Sequence, residues 1–203
     1  MVTYRPIHEP WYQQLPGEAK RAIVVLNTTI KEDPGTAVPQ LLDLIERFPH
    51  VPLFYNYLTV AYSYLGENEL AAAATELNLE RNPDYLFARM NLARQRLEDD
   101  DVEGFHRALG NALTLREMYP GRTLFHVSEF AGFMAVVAVY RLREGDWEEA
   151  HRISRLLDEI APGEASTGDL ADRVAASFHW TVRRIVRAVE RGELDDLAGG
   201  RGG

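Results

Sequence analysis

The sequence predicts an all-α protein. Strand signals are almost absent, with no β-branched run alternating between turns of the Asn-Gly or Asp-Gly kind. Apolar residues recur instead at the spacing of a helix face. Proline and glycine then interrupt the chain at regular intervals, with Pro49 and Pro83 34 residues apart, Pro83 and Pro120 37 apart, and Pro120 and Pro162 42 apart.

Residues 1–14 read as an extended arm rich in proline and aromatics. A first helix is expected from Pro16, because proline in a first turn lacks only a donor that would be orphaned there. Its apolar positions are Ala19, Ile23, Val24, Leu26 and Ile30, and Asp33-Pro34-Gly35 stops it. The second helix is expected over residues 36–48, carrying Leu41, Leu44 and Ile45. A third covers about 53–65 and ends at Gly66; a fourth covers 68–81 and ends at Asn82-Pro83. The next pair spans 84–98 and 101–119, joined by the acidic turn Asp99-Asp100-Asp101 and closed by Pro120-Gly121. A further pair spans 124–144 and 146–160, split at Gly145 and closed by Pro162-Gly163. The last helix is expected over 169–191, capped by Thr167 or Asp169. Its apolar stripe is Leu170, Val174, Phe178, Val182, Ile185 and Val189. The glycine-rich residues 193–203 bury too little to order themselves.

Composition narrows the function. With no cysteine, thiol catalysis, Cys-ligated zinc, iron–sulfur clusters and disulfides are all excluded. A reducing, cytoplasmic setting is expected. The net charge of −9 repels phosphate backbones, so nucleic acid is not an expected partner. Arg183, Arg184, Arg187 and Arg191 form the most basic stretch, but Asp169, Asp172 and Glu190 share its segment, and it reads as a solvated helix face. No basic region leads into an apolar run at the N-terminus, and the longest apolar stretch, Phe130–Tyr140, is 11 residues, too short for a bilayer.

The motif search finds no cofactor and no metal site. There is no glycine-rich phosphate loop, no Gly-x-Ser-x-Gly, and no His-Glu-x-x-His among the six histidines. The three aspartates at 99–101 lack the spacing of a calcium loop. An enzyme is therefore not expected. The residual route to one is a carboxylate pair assembled by different helices, with Glu80 or Glu129 as candidates if buried.

The repeat itself resembles the tetratricopeptide family, whose period is 34 residues. The best match is Tyr55, Leu58, Tyr62, Gly66, Ala71 and Pro83, with Thr59, Thr75 and Asn78 departing from the family's pattern. The second is Val137, Ala138, Gly145, Trp147, Ala150, Leu157 and Pro162. The first pair registers at Val24, Ala37, Leu44 and Pro49, and the pair at 84–120 is degenerate. The resemblance implies a right-handed α-solenoid of about four helical hairpins over 15–163, with a C-terminal capping helix at 164–192. It also implies a concave groove lined by the first helix of each pair, binding a peptide or helix of another protein. Carried through the register, the groove positions are Leu53, Asn56, Val60, Tyr64, Phe87, Met90 and Arg94, with Leu97 one turn further on and Ala19, Ala22 and Leu26 in the first pair. Asn56 and Arg94 are its polar groups; the lysines of a carboxylate clamp are missing. These positions are equally open to simple packing between helices. The function expected is a scaffold, adaptor or assembly factor. The alternative is a structural or self-associating subunit, such as a homodimer. There the arm fills the groove, since Tyr4, Ile7, Trp11 and Tyr12 cost about 25 cal/mol per Å² of apolar surface left in water.

Overall fold

The computed structural model describes residues 1–7 and 10–177. It is all-α, with one two-residue pair of strands. The elements run β1 (Val2–Thr3), α1 (Pro10–Gln14), α2 (Gly17–Glu32), α3 (Pro34–Arg47), α4 (Pro52–Leu65), α5 (Asn68–Arg81), α6 (Leu86–Glu98), α7 (Val102–Leu109), α8 (Leu115–Met118), β2 (Phe125–His126), α9 (Val127–Arg143) and α10 (Trp147–Ile160). The chain divides into two units, residues 1–130 and residues 131–203.

In the first unit each long helix packs on the next, from α2 through α7, and α2 also packs on α4. The spacing of apolar residues explains which faces meet. Ala19, Ile23, Leu26 and Ile30 form one buried stripe on α2, and Ala37, Leu41 and Leu44 form another on α3. They share a core with Phe54, Leu58 and Ala61 of α4 and Ala74 of α5. Asp33 closes α2 and opens α3, its carboxylate accepting from the Thr36 amide at 3.1 Å and the Thr36 hydroxyl at 2.6 Å. Gly66 ends α4 in the left-handed region, at φ 76°. Arg47 adds an exposed ion pair to Glu18 between α3 and α2, a contact of little net worth in water.

Between α4 and α5 lies a buried polar layer. The Thr59 and Thr75 hydroxyls stand 3.3 Å apart, and each donates to the carbonyl one turn back in its own helix. The Asn78 amide donates to the Pro52 carbonyl at 3.0 Å and accepts from Asn82 at 3.1 Å. Gln95 of α6 reaches Thr75 at 3.4 Å. The three residues that depart from the tetratricopeptide pattern are thus the ones that bond here. A buried polar group without a partner is costly, so these bonds discriminate against other helix registers.

Two expected helices are built differently. Residues 101–119 form α7 and α8 rather than one helix, because Gly110 and Asn111 adopt left-handed φ values of 66° and 60°. Thr114 then opens α8 with a capping box to Glu117. The arm is not simply extended: Val2–Thr3 pairs in parallel with Phe125–His126, and Pro10–Gln14 is helical. Its apolar residues explain this, since Trp11 and Tyr12 pack against the α2–α4 core.

In the second unit Gly145, at φ 78°, separates α9 from α10, and Asp146 caps α10 by accepting from Glu149. Ala150, Ile153 and Leu157 are the buried stripe of α10. Residues 165–177 are helical. Thr167 therefore sits inside this helix rather than capping it, and its hydroxyl donates to the Ala161 carbonyl at 2.9 Å. The remainder of the expected capping helix, the four arginines from 183 to 191 and the tail 193–203 lie outside the described residues.

Candidate functional site

The first unit carries an open groove of about 1020 Å³. Pro6, Ile7, Trp11 and Tyr12 of the arm form one wall. Leu53 and Tyr57, one turn apart on α4, line a second side while packing, partly buried, against the core that holds Phe54 and Leu58. A third side comes from the loop Asn82–Tyr85 and the start of α6, with Phe87. Tyr119, Arg122, His126, Ser128 and Glu129 complete it.

The surfaces are held by specific bonds. The Tyr119 hydroxyl donates to the Asp84 carbonyl at 2.7 Å, tying the segment after α8 to the loop before α6. Burial pushes the Tyr119 phenol up, as does the Asp84 charge, while Arg89 and Arg122 pull it down. Tyr85 and Phe87 meet with ring centroids 5.7 Å apart. At the start of α9 the Glu129 carboxylate accepts from Arg122 at 2.7 Å and from the His126 amide at 2.8 Å. The His126 ring accepts from the Ser128 amide at 3.2 Å and contacts its hydroxyl at 2.7 Å. This is a helix N-terminus closed on itself in the manner of a capping box. Glu129, an acid–base candidate if buried, is indeed buried, with its carboxylate engaged by Arg122 and the chain; Glu80 is exposed.

Of the seven groove positions read from the register, Leu53 and Phe87 line this groove. Met90 is 4% exposed and belongs to the core, as do Ala19 and Leu26. Asn56 accepts from Asn91 at 3.1 Å, joining α4 to α6. Val60 packs half-buried against the core. Tyr64 is exposed near the end of α4, and Arg94 pairs with Glu98 at 3.3 Å. The register assumed a trough running along the first helices. In the structure the arm and residues 119–129 surround only their N-terminal ends, so Tyr57, Tyr85 and Tyr119 become lining residues. The signals for them were the aromatic arm and the degenerate pair at 84–120, where the repeat pattern fails.

Among the described residues, no group of three or more histidines and carboxylates is placed to hold a metal ion. No described helix is long and apolar enough to cross a membrane. No protein-family model matches the chain, and no curated protein matches it in sequence.

Proposed function

We propose that this chain is a protein-interaction module of the tetratricopeptide-like, α-solenoid kind, a scaffold, adaptor or assembly factor that grips a segment of another protein. The observation that carries the reading is the open aromatic groove of about 1020 Å³ in the first unit. Large, rigid aromatic side chains supply contact area at low conformational cost, which is why they dominate binding hot spots. The sequential packing of α2 through α7, with α2 also against α4, supports a stacked-hairpin architecture. The arm pairs with β2 and lines one wall of the groove, which supports a site built by this unit's own segments. Glu129 and His126 are engaged in capping α9, which supports a binding role for this wall rather than a catalytic one.

Affinity co-purification of the wild type and Phe87→Glu from the native host tests the reading. Phe87 is half-buried on the groove wall, so a charge there is expected to abolish capture of the partner while circular dichroism stays unchanged. A partner retained by a folded Phe87→Glu chain contradicts the groove as its docking site.

A further inference from the structure

The donors left open on the groove wall say what kind of segment fits it. Among the described residues, the Trp11 indole N–H, the Tyr57 hydroxyl and the Asn27 side-chain amide line the groove without a protein hydrogen-bond partner. Burial pushes the Tyr57 phenol up, so at neutral pH it remains a donor. An indole only donates. A wall of open donors is matched by a ligand rich in carbonyls that have no other partner. A polyproline II segment is that ligand: it makes no internal hydrogen bonds, and its prolines have acceptors but no N–H. An amphipathic helix is a poorer match, because its carbonyls are already bonded within it.

The rings agree with this. Phe87 and Tyr119 add flat apolar faces, and proline-rich segments dock in aromatic-lined grooves of this sort. The volume lies at the top of the range for enclosed small-molecule sites, about 300–1,000 Å³. Being open as well, the groove suits a chain running through it.

Charge adds a second feature. The Asp84 carboxylate is exposed on the groove lip and has no hydrogen bond or ion pair within the protein. The nearby cations are committed elsewhere. Arg122 pairs with Glu129, Arg89 donates to the Ala108 carbonyl, and Lys20 donates to the Gln13 carbonyl while standing 5.5 Å from the Tyr12 ring centre. A basic residue on the ligand therefore finds an unpaired carboxylate beside aromatic faces, both of which attract cations.

We propose that the groove binds a proline-rich segment of a partner protein in polyproline II conformation, with Trp11, Tyr57 and Asn27 donating to its backbone carbonyls and Asp84 pairing with a flanking Arg or Lys. The proposal rests on the reading of the groove as a peptide-binding site and names its ligand class.

Isothermal titration calorimetry of the full chain tests it with three synthetic peptides: repeated Pro-Pro-Arg, repeated Pro-Pro-Glu, and an amphipathic Leu-Ala-Lys helix. The Pro-Pro-Arg peptide is expected to bind and the Pro-Pro-Glu peptide to bind at least several-fold more weakly. Tyr57→Phe, which keeps the ring and removes one donor, is expected to weaken the first peptide roughly fivefold. Asp84→Asn is expected to weaken it and to abolish its salt dependence. If the helix peptide binds and the proline peptides do not, this ligand class is overturned while peptide binding in the groove stands. If no peptide binds, both fall. Unchanged affinity in both variants also overturns the assignment, because binding would then lie elsewhere.

Discussion

Asn78 shows how much one side chain carries. It is 1% exposed, and its amide is the donor to the Pro52 carbonyl at the start of α4. Asn78→Ala removes its bonds to the Pro52 carbonyl and from the Asn82 amide and opens a cavity, so a loss of about 1–3 kcal/mol is expected, read from urea denaturation. Asp33 gives a pH-dependent counterpart. The Thr36 hydroxyl, and then its amide, hold the Asp33 carboxyl below its ordinary value. A carboxyl with a depressed folded pKa stabilises the fold fully above its unfolded value, about 3.9, and the contribution is lost as pH falls through the folded value. Denaturation midpoints taken across that acid range are expected to fall more steeply for the wild type than for Asp33→Asn. Equal slopes would mean that Asp33 is not part of the acid response. The capping role of Asp33 was legible in the sequence only as a stop before Pro34-Gly35, because a cap is recognised by a bond and the sequence shows only the residue. The polar layer was legible as three mismatches to the repeat, at Thr59, Thr75 and Asn78. That Thr59 meets Thr75 and that Asn78 reaches the Pro52 carbonyl depends on the distance between α4 and α5, which no spacing encodes.

At the scale of elements, boundaries were readable wherever a strong backbone signal stood at both ends. Residues 68–81 were expected as a helix and are α5, between Gly66 and Asn82-Pro83. Gly66 is the clearest case, since its left-handed φ of 76° is one an L side chain adopts only with strain. An added Cβ meets nothing within 4 Å, so the cost of Gly66→Ala is conformational alone. It is expected to lower stability by about 1–2 kcal/mol in thermal or urea melts. Gly66→Asn is expected to lower it less, because asparagine tolerates this conformation. A single glycine inside an apolar pattern is a weaker signal, because a helix tolerates it at a cost of about 1 kcal/mol. Gly110 followed by Asn111 breaks the expected helix over 101–119, and the segment freed by that break carries Tyr119, Arg122 and Glu129 to the groove. The site was hard to read for this reason: it is built largely at departures from the repeat, and a register extended through the repeat reaches only Leu53 and Phe87 of its lining.

For the whole molecule, helix class followed from periodicity, but the groove depends on a long-range closure. Met1–Thr3 meets residues 123–126 through β1–β2 and the Phe125 amide donating to the Met1 carbonyl at 3.1 Å. Pairing between segments so distant in sequence is invisible to any local pattern. Of the arm's apolar residues singled out from the sequence as costly to expose, Ile7, Trp11 and Tyr12 line one wall of the groove, whereas Tyr4 is exposed. On this reading a partner's segment lies in the groove. Site-specific photo-crosslinking reads its position, with a photoreactive amino acid placed at Tyr57, at Phe87, or at Leu77, an exposed leucine of α5 that does not line the groove. Partner adducts are expected from positions 57 and 87 and none from 77. Adducts from position 77 with none from 57 and 87 would place the partner elsewhere and overturn the groove as its docking site.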